Sequence, residues 1–244
     1  TDWVGAAQFD HYHGFREAFD RDRWRRQHGI SPAAMLIVYG TINPAILPHE
    51  AHIVSQIAKA VENGQFGDEA VLWVRLHPQA VRGTFSTSLA EYEALASRRI
   101  RVEIPPVQSE ALHWDLPRDD AAHLANLFCA ADVVATPSST LVIDAACLDT
   151  PVVSVQFDGQ QPVDAALSAK RFLQYTHYAQ ILKTGGIAVA HTFDEFVHHV
   201  RQYASDPQRD ADGRQARARP QPGRLDGQAG RRTDANMVRP ADTG

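Results

Sequence analysis

Six short apolar runs, each separated from the next by a segment able to form a helix, constrain this chain more than any other feature. The first, "AMLIVYG" at 34–40, is rich in β-formers and ends on Gly40; the second, "AVLWVRLHP" at 70–78, suits burial on both faces. "IRVEIP" (100–105), "DVVATP" (132–137), "PVVSVQFDG" (151–159) and "GIAVAH" (186–191) continue the series. Between the first two runs, Pro48 and Glu50 open a helix whose apolar positions Ile53, Val54, Ile57, Ala58 and Val61 recur at helical spacing, and "NGQFG" stops it. Ser88–Arg99 predicts a second helix. "RDDAAHLANLFCAAD" predicts a third, with Leu124, Leu127, Phe128 and Ala131 on one stripe. "SSTLVIDAACLD" and "TFDEFVHHVRQYASDP" supply two more.

Strands alternating with helices at this pace require crossover connections, which are right-handed. The expected fold is therefore α/β: a doubly wound, mostly parallel, Rossmann-like sheet of about six strands with helices on both faces. Such sheets take ligands beyond the carboxyl ends of their strands. That directs attention to the loops after Gly40, Leu76, Thr136 and Phe157.

The ends of the chain read differently. Residues 1–33 hold "WVGAAQFD", a short strand by composition, and the charged helix "FREAFDRDRWRRQ"; they read as a linker and a leading helix ahead of the domain at 34–207. From 208 to 244 the sequence contains no Ile, Phe, Trp or Tyr and is rich in Arg, Gly, Pro and Ala. It reads as a disordered tail or as an aberrant, out-of-frame terminus. Its eight Arg against five Asp leave 16 basic and 24 acidic residues in 1–207, so the net charge of −5 hides an acidic body. An acidic body argues against a nucleic-acid surface. No apolar stretch is long enough to span a membrane, and the first residues lack a signal-peptide pattern, which predicts a cytoplasmic location. Cys129 and Cys147 sit in apolar helical contexts and read as small core residues. "HYH", "HEAH" and "HH" lack metal-ligand spacing, and neither a dinucleotide fingerprint nor a Walker sequence is present.

Chemistry concentrates in "TPSSTLVIDAACLDTPVV". The strand ends at Thr136, Pro137 interrupts the ladder, and Ser138 or Ser139 is placed to cap the next helix. Free amides there, the helix dipole and the hydroxyls of Ser138, Ser139 and Thr140 would suit a phosphate. Asp144, four residues after Thr140, shares its face about 5.4 Å deeper, where a carboxylate could take two ribose hydroxyls. A partner inside the core would explain the same acid. In "WVRLHPQ", Arg75 and His77 share a side of the second strand's end. His77 can bond a phosphate or a base and Arg75 can neutralise phosphate charge, or Arg75 pairs with a neighbouring helix and His77 caps the strand. Gly40 and Thr41 close the first strand beside them. Asp158, after the fifth strand, either meets a sugar or makes the turn.

From about Val4 to Pro207 these residues resemble the C-terminal, donor-binding half of a GT-B glycosyltransferase. The likeness rests on "VGAAQFDHY" followed by a helix and "MLIVYGT", on "RLHP", and most of all on "ADVVATPSSTLVIDAACLDTPVVSV". His-Pro at 77–78 with Ser-Ser-Thr at 138–140 is similar to motifs of bacterial sialyltransferases, Kdo transferases and CDP-glycerol glycerophosphotransferases. The resemblance implies that His77 contacts a cytidine nucleotide and Ser138, Ser139 and Thr140 its phosphate. Asp144 stands where many such enzymes carry a ribose-binding glutamate, a departure of one methylene. Also implied are a CMP-, CDP- or UDP-linked sugar or glycerol donor, no metal or cofactor, and surface polysaccharide (capsule) synthesis. The acceptor glycan and the catalytic base would belong to an N-terminal domain preceding Thr1. This chain would then hold no catalytic residue and be inactive alone, and peripheral membrane association of the longer enzyme is compatible with the reading. Two alternatives stand beside it. A non-hydrolysing UDP-N-acetylglucosamine 2-epimerase shares the architecture, but Ser-Ser-Thr replaces the expected Ser-Gly-Gly. A catalytically silent α/β binding module would bury Asp144 and His77 against protein partners.

Overall fold

The computed structural model describes residues 12, 14–81, 86–108, 116–117, 119–160, 162–183 and 185–218. Six strands, β1 (Leu36–Gly40), β2 (Val71–Arg75), β3 (Ile100–Glu103), β4 (Val133–Thr136), β5 (Val152–Val155) and β6 (Ala188–Ala190), form one sheet in the order β3-β2-β1-β4-β5-β6. Every neighbouring pair is parallel. β1, β2, β4 and β5 are buried along their whole length, so their sequences are near-continuous apolar runs. The chain winds outward from β1 to β3, returns to lay β4 against the other side of β1, and winds outward again to β6. Between β1 and β4 the winding direction reverses, and the carboxyl edge at that switch point is where such sheets take ligands.

Helices cover both faces, as the pattern requires. On one side α3 (Glu50–Glu62) and α8 (Phe193–Ser205) build a core that includes Ile53, Val54, Ile57, Val61, Phe196 and Val200. α4 (Ser86–Glu93) lies with them. Gly64, at φ +73, terminates α3 in the left-handed conformation, and its N–H bonds the Val61 carbonyl. On the other side α2 (Arg21–Gln27), α5 (Asp120–Ala130), α6 (Leu141–Cys147) and α7 (Thr176–Leu182) pack Trp24, Leu127, Phe128, Val142 and Tyr178.

Three expectations are corrected. Residues 14–33 are a layer of the domain, not a linker. After α1 (Phe15–Ala18), α2 inserts Arg25, 1% exposed, which donates to the carbonyls of Ala130, Pro32 and Ala34 and to Asp132. Asp132 also pairs with Arg21 and accepts the Leu36 N–H, so one carboxylate fastens this layer to the first strand. The expected helix at Ser88–Arg99 begins at Ser86 and ends at Glu93. The domain does not stop at 207: α9 (Ala211–Ala218) packs on α6, and Arg214 is fully buried, donating to Asp149, Arg209 O and Pro207 O. Composition predicts disorder here because apolar residues are scarce, but a buried guanidinium and a glycine crossing order the segment without them. Gly186 and Gly213 meet backbone to backbone, leaving no room for a Cβ on either. The strand expected at 3–10 and the tail from 219 lie outside the described residues.

Candidate functional site

The crevice is assembled from chain ends that follow β1, β2 and β4. Gly40 ends β1 where the side chain of Leu141, first residue of α6, would overlap any Cβ. Its role is therefore close packing of α6 against the strand. Thr41 comes next, 3% exposed; its N–H donates to Arg75 O, and its Oγ1 accepts the His77 N–H at 2.7 Å. Asn43 bonds Gln79, so the loops after β1 and β2 are joined twice.

His77 is half-buried, and desolvation lowers its pKa, favouring the neutral ring. The Gln79 N–H donates to Nδ1 at 3.2 Å, which places the proton of the neutral ring on Nε2. That Nε2–H has no partner among the described residues. His77 thus offers a fixed, uncharged donor beside the crevice.

Across the crevice, Pro137 is buried and Ser138 and Ser139 are half-buried, while Thr140 is exposed. A buried polar network below holds the turn. Gln156 Nε2 donates to Pro137 O at 2.6 Å and to Ser154 Oγ, Ser154 donates to Pro137 O, and Tyr178 OH donates to Ser154 at 2.7 Å. Of the two expected caps, Ser139 makes the bond. Thr140 occupies the N-cap position with helical backbone angles and no side-chain bond, while Ser139 Oγ accepts the Leu141 N–H at 3.2 Å. The Val142 N–H goes to Ser139 O, so the amides of Ser139 and Thr140, not those of the first helical turn, lack partners among the described residues. The hydroxyls of Ser138 and Thr140 lack them too.

Asp144 lies half-buried one turn further on, and the Tyr12 hydroxyl donates to its Oδ1 at 2.8 Å. Burial first, and the adjoining Asp144 second, raise the Tyr12 pKa, so the phenol stays protonated and keeps donating. A core partner for Asp144 is therefore present, supplied by the N-terminal segment. Arg75, 6% exposed, has the neighbouring-helix pairing that the sequence left open: it pairs with Glu103 of β3 and holds both oxygens of Asp120, at the start of α5, at 2.6 and 2.7 Å. Glu103 also accepts the Trp73 indole N–H at 2.6 Å and meets His123 at 3.1 Å. Burial, then Arg75, lowers the His123 pKa. Above this cluster a cavity of about 460 Å³ opens between Trp73, His123, Pro106 and Pro117. Asp158 makes the turn: its two oxygens accept from Ser168 Oγ at 2.5 Å and from the Ala169 N–H at 2.6 Å.

Of the sequence-derived residues, the structure brings Gly40, Thr41, His77, Ser138, Ser139 and Thr140 to one edge of the sheet, commits Arg75 and Asp158 to protein partners, and ties Asp144 to Tyr12. One buried group at this edge carries a signal that is easily misread. Glu50 reads as a favourable first-turn acid, yet it is 2% exposed, accepting the Ile42 N–H at 3.0 Å and the Tyr39 hydroxyl at 3.1 Å. Desolvation raises its pKa well above the carboxylic range.

Comparison with solved structures fits this architecture. A variant of the wall teichoic acid polymerase TagF superposes with a TM-score of 0.50 at 14% identity, over 88% of this chain and 47% of that one. The chain has the fold of one GT-B half. The UDP-GlcNAc 2-epimerase of Methanocaldococcus jannaschii is also similar (TM-score 0.48, 10% identity, 88% of this chain and 53% of that one). So is the C-terminal domain of the group 1 glycosyl transferase LpcC of Francisella tularensis (TM-score 0.44, 12% identity, 82% and 90%). The chain spans about half the length of the first structures it matches. No protein-family model matches it, and no curated protein matches it in sequence. Among the described residues, no group of three His, Cys, Asp or Glu could hold a metal, and no helix is long and apolar enough to cross a membrane. What the domain presents at its switch point is a set of neutral donors: the His77 imidazole N–H and the amides and hydroxyls of the turn at 138–140. Such a set binds an oxyanion without a counter-charge.

Proposed function

We propose that this chain is the donor-binding domain of a metal-independent, nucleotide-sugar-dependent glycosyltransferase or glycerophosphotransferase of surface polysaccharide synthesis. The observation that carries the reading is the pairing of unsatisfied donors across the switch point. His77 Nε2–H stands on one side and the amides and hydroxyls of Ser138–Thr140 on the other, each backed by its own hydrogen-bonded scaffold. Partnerless donors at a strand-end crevice suit a phosphate, and the resemblance of the His-Pro and Ser-Ser-Thr motifs names it as the phosphate of a CMP-, CDP- or UDP-linked donor. The Trp73–His123 cavity has room for a flat base beside Arg75, whose ion pairs fix the carboxylates lining it. In this reading Arg75 orients that wall and does not touch phosphate. Asp144 reaches the ribose while sharing its carboxylate with Tyr12. The acceptor and its base come from another domain, which makes this domain a binder of donor and not a complete catalyst.

Isothermal titration of the chain with CMP, CDP and UDP tests the reading and ranks the bases. Binding of at least one nucleotide is expected, weakened about tenfold by His77→Ala, the scale of one lost charge-assisted hydrogen bond. Absence of binding to all three would refute it.

A further inference from the structure

The cavity of about 460 Å³ beyond the end of β3 differs in hydrogen-bonding character from the donor-rich crevice. It lies one strand out along the same edge: Glu103 ends β3 beside Arg75, its carbonyl accepts the Leu76 N–H at 2.9 Å, and His77 comes next in the chain. Part of its wall is apolar. Trp73, Pro106, Pro117 and Ile104 line it, and Ile104 is 39% exposed, a large apolar side chain left open to solvent.

The polar side chains of the wall have spent their donors. The Trp73 indole N–H goes to Glu103, whose oxygens also take Arg75 and His123, and Arg75 holds both oxygens of Asp120. His28 and His123 each have one ring nitrogen committed as a donor. His28 Nδ1 lies 2.7 Å from Trp24 O, and a carbonyl accepts but cannot donate, so in the neutral ring Nε2 keeps a lone pair. His123 Nε2 lies 3.1 Å from both Glu103 oxygens, so Nδ1 keeps one there, and burial followed by Arg75 favours that neutral ring. Asp119, exposed at the N-cap position of α5, makes no side-chain bond among the described residues. Every free hydrogen-bonding atom on these side chains is therefore an acceptor. Charge points the same way: the carboxylates of Glu103, Asp119 and Asp120 outnumber the Arg75 guanidinium, so a phosphate is disfavoured here.

We infer that this cavity selects the base of the nucleotide by its exocyclic amino group, taking cytosine and rejecting uracil. A flat ring fits beside Trp73 and the prolines, and its amino edge brings two N–H donors to side chains that can only accept. Uracil has a carbonyl at that position and a single N–H flanked by two carbonyl oxygens. That a nucleotide binds at all rests on the donor reading above; the choice of base rests on the wall of the cavity.

Calorimetric titration of the 244-residue chain with CDP and with UDP tests the inference. CDP should bind at least tenfold more tightly, because the analogue without the amino group leaves the acceptors unpaired. Asp119→Ala, at an exposed position that leaves the fold intact, should lower the CDP to UDP affinity ratio at least threefold. Adding His123→Leu should bring the two affinities within threefold of each other, chiefly by weakening CDP, whereas Ser139→Ala should weaken both nucleotides and leave the ratio unchanged. A purely structural role for Asp119 and His123 would move both affinities together. A ratio preserved in the double variant would therefore overturn the inference, as would equal binding of CDP and UDP or tighter binding of UDP by the parent chain, and each of these leaves the donor reading standing. Binding of neither nucleotide would remove the donor reading and the inference together.

Discussion

Glu50 shows how one residue can hold the floor of a binding edge without touching a ligand. Its carboxyl fixes the Ile42 amide and so the path of the loop after β1, yet burial makes the charged form costly. A carboxyl whose folded pKa is raised favours the protonated state. The stability it contributes is full below the unfolded value of about 4.3 and is lost as pH rises through the folded value. Urea unfolding from pH 4 to pH 9 should therefore show Glu50→Gln gaining on the parent as pH rises, with little difference at pH 4. A parallel pH dependence for the two proteins would contradict the account. Arg75 is the opposite case, a buried cation between two carboxylates. Removing it strands both, so Arg75→Ala should lower unfolding free energy by about 3–5 kcal/mol. A loss under about 1 kcal/mol in denaturant titration would mean that the cluster is not a closed ion-pair network. The sequence placed Arg75 at the right strand end but could not choose its partners, because Glu103 and Asp120 lie 28 and 45 residues away.

At the scale of elements, α6 is the piece whose placement decides the site. It is positioned by contact, since Leu141 fills the space that Gly40 leaves. Gly40→Ala should overpack that contact and cost about 1–3 kcal/mol. Adding Leu141→Ala should recover a good part of it, and additive losses in the double-mutant cycle would disprove the contact as the cause. All six strands were legible as apolar runs, and α3, α5 and α8 as periodic ones, because in a doubly wound sheet burial writes itself into the sequence. What stayed illegible had no such period. Residues 165–174 turn as short 3-10 segments pinned by Asp164, Ser168 and Asp158 side chains, a local hydrogen-bonding solution with no apolar repeat. Between the two expected caps of α6, Ser138 and Ser139, geometry alone decides: Ser139 Oγ takes the Leu141 N–H, while Thr140 at the N-cap position makes no side-chain bond. Of the candidate site, the strand-end residues were legible from topology. Asp158 was not, since a turn-maker and a sugar ligand look alike in sequence.

For the molecule as a whole, the 3-2-1-4-5-6 order fixes where a ligand crevice can exist, and the N- and C-terminal layers brace it. Arg25 clamps the first layer to the end of α5 and to Asp132, which in turn holds the Leu36 amide, and Arg214 clamps α9 to Asp149 at the end of α6. Ending the chain at Pro207 should reduce stability by at least about 2 kcal/mol, and Arg214→Ala alone should account for most of it, because each leaves Asp149 without its partner. Unchanged unfolding of either protein would remove α9 from the domain. The central claim is that a nucleotide phosphate binds between the loops after β1, β2 and β4. Amide and imidazole NMR shifts of the isotopically labelled chain, titrated with CDP and UDP, address it most directly. The account predicts saturable shifts centred on Thr41, His77, Ser139 and Thr140, with His77 Nε2–H becoming protected from exchange. Shifts confined to other surfaces, with these four residues unmoved at saturation, would contradict it.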